Sequence, residues 1–115
     1  TRLRRASGEI SSILTIGDLA IDIVEHTVTR AGKEIPLTRL EFDLLVSLAK
    51  EPGRVFTREA LLGEVWGYRH STDTRLVNVH IQRLRAKIEH DPETPTIIGT
   101  VRGIGYKAGA PGNRS

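Results

Sequence analysis

The sequence predicts an α+β domain in which a leading antiparallel meander gives way to three helices and a closing hairpin. Three observations carry this reading: short alternating apolar runs up to Leu37, a helix-start signal at Thr38-Arg39-Leu40-Glu41 where the period changes, and a basic amphipathic stretch followed by Gly103-Ile104-Gly105. At 115 residues the chain is the size of one domain with one modest core, and a second domain does not fit.

Residues 1–12 are small and polar with no sustained period and read as a linker or disordered arm, so order is expected from Ile13. From there Ile13–Ile16, Leu19–Ile23, Thr27–Thr29 and Glu34–Leu37 alternate as half-buried strands do, with Gly17-Asp18, Glu25-His26 and Ala31-Gly32 as turns. Thr38 and Glu41 have the spacing of a capping box, and Leu37 and Phe42 are placed for a hydrophobic staple. A helix is therefore expected from Arg39 to about Lys50, before Pro52-Gly53. Leu40, Phe42, Leu44, Leu45, Val46, Leu48 and Ala49 leave little of its surface polar, which makes it the central core helix.

Val55-Phe56 reads as a short strand, and Thr57 can cap a second helix whose Leu61, Leu62, Val65 and Trp66 form an apolar stripe, with Gly67 at its stop. A polar loop leads to a third helix, expected from about Thr74 to Glu89 with Asp73 as N-cap and Pro92 beyond its end. At about 100° per residue, Val77, Ile81, Leu84 and Ile88 share one stripe, whereas Arg75, Val79, Gln82, Arg83 and Ala86 project from the opposite side. One face suits a core and the other an anionic partner. A hairpin of Thr96–Val101 and Tyr106–Ala108 closes the domain at residue 109, with Arg102-Gly103-Ile104-Gly105 as its tip; residues 110–115 read as a disordered tail.

The formal charge of +3 is unevenly spread. Arg2, Arg4 and Arg5 crowd the start, and Arg75, Arg83, Arg85, Lys87, Arg102 and Lys107 outnumber Glu89, Asp91 and Glu93 over the last third. Such segregation fits a polyanionic partner, although a charge cluster is also an ordinary solvated surface. The absence of cysteine excludes disulfides, thiolate metal sites and thiol nucleophiles, and makes a reducing compartment, the cytoplasm, the expected location. No apolar run approaches the roughly 18 residues that cross a bilayer, so no membrane partner is expected. A chain that starts at Thr1 and contains no methionine is expected to be a piece of a longer protein.

His26, His70, His80 and His90 are too dispersed for a metal motif. No serine stands in a nucleophile-elbow context, and Gly103-Ile104-Gly105 sits in a hairpin rather than at a strand-to-helix turn, so neither enzymatic activity nor a cofactor is expected. Helix, helix, polar loop, basic helix and hairpin is the element order of a winged helix-turn-helix. In that arrangement the last helix enters the major groove, about 12 Å wide, and the hairpin lies against the neighbouring minor groove.

Val77-Asn78-Val79-His80-Ile81-Gln82-Arg83-Leu84-Arg85, Thr100-Val101-Arg102-Gly103-Ile104-Gly105-Tyr106, Leu37-Thr38-Arg39-Leu40-Glu41-Phe42-Asp43-Leu44-Leu45 and Val65-Trp66-Gly67 resemble the effector domain of OmpR/PhoB-type response regulators, in collinear order over residues 14–108. The loop Tyr68-Arg69-His70, with Asp73-Thr74-Arg75-Leu76 and Gly105-Tyr106-Lys107-Ala108-Gly109, points to one subgroup of that family. The resemblance implies a winged helix-turn-helix with a four-stranded N-terminal sheet, a three-helix core and a C-terminal wing, assigned to residues 13–109. It also implies a phosphorylated receiver domain and a sensor histidine kinase as partners in a two-component system. Sequence-specific binding to double-stranded DNA, head to tail on direct repeats, and contact with RNA polymerase through Tyr68, Arg69 and His70 complete what it implies.

Under that resemblance Arg75, Leu76, Val79, His80, Gln82 and Arg83 are the candidate base-reading residues. Arginine pairs with guanine O6/N7 and glutamine with adenine, while Leu76 and Val79 suit a thymine methyl. Thr57, Arg58, Trp66, Arg85, Lys87 and Thr100 are candidate phosphate contacts, with capping, packing or solvation as the ordinary alternative for each. Arg102 at the wing tip is the candidate minor-groove residue. The competing reading is a winged-helix interaction module that docks an acidic protein, which would not bind random duplex at low salt.

Overall fold

The computed structural model describes residues 12–67 and 73–109. Four strands, β1 (Ile13–Ile16), β2 (Leu19–Asp22), β3 (Thr27–Arg30) and β4 (Lys33–Glu34), form an antiparallel meander in chain order. Its turns use left-handed backbone at Gly17, His26, Ala31 and Gly32, and the His26 ring stacks on Phe42 at 4.8 Å, which ties the meander to the first helix. Just before β1, the Ser12 carbonyl accepts the N–H of Ile23. The fourth strand is shorter than the alternation predicts. Ile35 N–H still bonds Val28 O, but Pro36 has no N–H to continue the ladder.

Helix α1 (Arg39–Ala49) starts with the capping box read from the sequence: Glu41 N–H donates to Thr38 Oγ1 at 3.2 Å, and Thr38 N–H donates to Glu41 Oε1 at 2.9 Å. Leu44, Leu45 and Leu48 on it are fully buried. Strand β5 (Phe56–Thr57) leads into α2 (Arg58–Leu61), where Thr57 Oγ1 accepts Ala60 N–H as the N-cap. The predicted second helix is present as a continuous run, but its second half, Leu62–Trp66, widens into a π-helical turn. Gly67 N–H bonds back to both Leu62 and Gly63 carbonyls, and Gly67 ends the run at φ 89°.

Helix α3 (Arg75–Ile88) buries Val77, Ile81, Leu84 and Ile88 completely against α1 and the neighbouring elements. Its N-cap residue is Thr74, which supplies no side-chain cap; the Asp73 carboxylate bonds Arg75 N–H instead. Strands β6 (Ile98–Val101) and β7 (Gly105–Ala108) form the hairpin, and β7 also pairs with β5, giving a sheet of order β5-β7-β6.

Two boundaries of that hairpin differ from expectation. Strand β6 starts at Ile98 rather than Thr96 because the Glu89 carboxylate takes the N–H groups of Thr96, Ile97 and Ile98. Gly105 is a strand residue rather than part of the tip: it faces Val101 and Thr57, so closely that a Cβ there would lie 1.9 Å from Phe56 O. The expected linker over residues 1–12, apart from Ser12, the tail over residues 110–115 and the loop Tyr68, Arg69 and His70 lie outside the described residues.

Candidate nucleic-acid interface

The core stripe of α3 fixes which of its residues face outward. Arg75, Val79, Gln82 and Arg83 are exposed, Val79 at 44%. Gln82 and Arg83 have no hydrogen-bond partner among the described residues, so their polar ends are available to a ligand. Arg75 is exposed but engaged: Nε and Nη2 donate to the two Asp73 carboxylate oxygens at 2.9 and 3.0 Å. That contact lowers the Asp73 pKa and raises that of Arg75. Among the described residues its remaining guanidinium hydrogens meet no acceptor.

Leu76 and His80 are half-buried. Leu76 packs on the core, and His80 Nδ1 lies 2.9 Å from Leu76 O, where it serves as donor, leaving Nε2 as the other ring position. The Trp66 indole meets the His80 ring edge-on at 5.0 Å, so the π-helical turn and α3 share an aromatic seam at the rim of the outward face. The Trp66 ring packs on the core while the residue keeps some exposure.

Among the residues expected to touch phosphate, Thr57 and Thr100 are exposed and Arg58 is half-buried at the start of α2. Arg85, on the flank of the core stripe, turns to the buried side. It is 5% exposed, and its Nε and Nη2 donate to Ile98 O at 3.2 and 2.8 Å while Nη2 also reaches Thr100 Oγ1 at 2.7 Å. Burial lowers its pKa, with Tyr106 and Glu89 opposing. Its donors serve the wing rather than a ligand, which removes it as a phosphate contact. Lys87 Nζ pairs with the buried Glu41 carboxylate at 2.6 Å, while its side chain stays 38% exposed.

Arg102 stands exposed at the wing tip beside Gly103, which adopts φ 76°, and Ile104 next to it is 49% exposed. Sequence reasoning missed Asn78 and Glu89. Asn78 Oδ1 accepts Arg58 Nε–H at 3.0 Å and Tyr106 O–H at 2.7 Å, from residues remote in sequence, and Glu89 receives strand amides across the loop that follows it; no helical or strand periodicity encodes either.

The family model described as "Transcriptional regulatory protein, C terminal" matches residues 32–108. The chain belongs to that family, the OmpR/PhoB type of effector domain. Over 110 residues this OmpR/PhoB-type domain is 64% identical to the DNA-binding response regulator MtrA of Mycolicibacterium smegmatis, covering 96% of this chain and 48% of that protein. The subgroup resemblance seen at Tyr68-Arg69-His70, at the start of α3 and at the end of the wing is to these MtrA proteins.

It is 43% identical over 109 residues to the transcriptional regulatory protein AfsQ1 of Streptomyces coelicolor, covering 95% of this chain and 48% of that one. The chain thus spans about half the length of the curated relatives it matches.

Among solved structures, response regulator DrrB of Thermotoga maritima, an OmpR/PhoB homolog, superposes with a TM-score of 0.80 at 38% identity, covering 93% of this chain and 48% of that one. The DNA-binding domain of Klebsiella pneumoniae RstA, solved in complex with its RstA box, superposes at 0.76 with 35% identity over 84% of this chain and 96% of that one. The OmpR/PhoB-type fold read from the sequence, a winged helix with a leading four-stranded sheet, is the fold observed.

Proposed function

We propose that this OmpR/PhoB-type domain binds double-stranded DNA sequence-specifically as the effector of a two-component response regulator and thereby controls transcription. The observation that carries the reading is the outward face of α3: Val77, Ile81, Leu84 and Ile88 lock the helix in place, and the polar ends of Gln82 and Arg83 stand free on the opposite side. Arg75, Leu76, Val79, His80, Gln82 and Arg83 read bases in the major groove, Leu76 and His80 from the flank of that face. Thr57, Arg58, Trp66, Lys87 and Thr100 hold the backbone, and Arg102 enters the minor groove.

The domain works in the cytoplasm, joined through residues 1–12 to a receiver domain that a sensor histidine kinase phosphorylates. Two copies sit head to tail on direct repeats, with Tyr68, Arg69 and His70 meeting RNA polymerase. The likeness to MtrA and to the RstA domain solved with its DNA box supports this reading.

The test is a binding series on random duplex and on duplexes selected from a random pool, across roughly 50 to 200 mM salt. Because neutralised phosphates release counterions, affinity should fall linearly in a log–log plot with a slope near −0.9 for each contact, starting at micromolar or tighter for random duplex at low salt. A salt-insensitive complex, or binding to an acidic protein with none to duplex, overturns the proposal.

A further inference from the structure

Asn78 lies on α3, yet its carboxamide faces sideways, into the junction of three elements. Its Oδ1 is the shared acceptor of Arg58 Nε–H, from the start of α2, and of the Tyr106 hydroxyl, from the wing strand β7, at 3.0 and 2.7 Å. The Tyr106 ring is buried and lies within cation–π range of two guanidinium groups, Arg58 at 5.9 Å and Arg85 at 5.4 Å. Arg58 is thus fixed from two directions, by a hydrogen bond at Nε and by an aromatic ring beside its charge. A long side chain with roughly 2 kcal/mol of rotamer entropy to lose is held in one orientation before any ligand arrives.

The backbone around it is equally constrained. Thr57 both caps α2 and pairs with Gly105 of β7, so the residue before Arg58 belongs to the wing sheet.

We infer that Asn78 is a positioning residue: it touches no base itself, but aims the Arg58 guanidinium, whose Nη groups are left for a phosphate oxygen of the DNA backbone. This deepens the proposed function and rests on it. An Arg58 released from Asn78 keeps its charge but loses its fixed aim, so phosphate neutralisation at that point is lost with it.

The salt slope reads this directly, and stability alone does not move it. In a random-duplex titration, Arg58→Ala is expected to flatten the log–log slope by roughly 0.9, the value of one phosphate contact, and Asn78→Ala by a similar amount. The double variant should lose no more than either single one. Asn78→Ser, too short to reach Arg58 and still polar, is read in place of the alanine variant should that one lose its cooperative melting transition. An Asn78 variant with the wild-type slope, a wild-type slope in Arg58→Ala, or losses that add in the double variant overturns the inference. A wild-type domain that binds no duplex in a salt-dependent way overturns the proposed function itself, a different result from a steep wild-type slope unchanged at residue 78.

Discussion

Arg83 and Arg85 differ by two positions on one helix and have opposite surroundings: the first extends into solvent without a described partner, the second is buried with Nε and Nη2 donating to β6. Their variants should therefore separate cleanly. Arg83→Ala is expected to leave the denaturation midpoint unchanged while costing roughly 1–3 kcal/mol of binding and relaxing preference at one base position, measured on a panel of single-base-substituted duplexes. Arg85→Ala strips Ile98 O of its donor in the interior and should cost about 1–3 kcal/mol of folding free energy, seen in chemical denaturation, with the salt slope of binding retained. The wheel angle of Arg85 is compatible with either fate, and only the carbonyl of a strand folded back over the helix decides between them. Arg83 and Gln82 were legible because their position depends on the helix alone.

Elements whose signals are local were readable in advance. The capping box at Thr38 and the buried stripes of α1 and α3 are set by residues within one or two turns, and both helices begin and end within two residues of expectation. The shortened β4 and the late start of β6 were less so. Pro36 interrupts a ladder that alternation alone would extend, and Glu89 competes for strand amides across a loop that a linear pattern does not see. The π-helical turn at Leu62–Trp66 has no sequence signature at all. Gly105 shows the wing's dependence on a backbone contact: Gly105→Ala places a methyl carbon against Phe56 O and should force β5 away from β7, at about 1–3 kcal/mol or more. A lowered melting temperature, with loss of amide-exchange protection concentrated at Phe56, Thr57 and Gly105, would check this.

At the scale of the whole molecule, ionic contacts join the leading sheet to the rear of α3. Arg30 donates to Asp18 and to the Ile88 carbonyl, and His90 also reaches Asp18 at 2.7 Å. The Arg30 hydrogen bond, and then that of His90, hold the Asp18 carboxyl down at about 2. Burial pushes Glu41 upward, but the hydrogen bonds from Lys87 and Thr38 and the charge of Lys87 outweigh it, and its pKa ends below the ordinary value. Both folded-state values lie below those of the unfolded chain, roughly 4, so between them the unfolded state binds more protons. Stability from these groups is complete above about pH 4.5 and is lost as the pH falls toward 2. Denaturation midpoints measured over that window should drop, and Glu41→Gln should flatten the part of the fall that Asp18→Asn does not.

Ile98 is held at its carbonyl by Arg85 and at its N–H by Glu89, residues one helical turn apart, so α3 and the wing share a single reference frame. Under the proposed function, the spacing between the groove helix and the base of the wing is then set by the protein. Where a bound duplex has a groove spacing that does not match it, the curvature must be taken up by the nucleic acid, and the sequences that bend most cheaply become preferred at base pairs no side chain reaches.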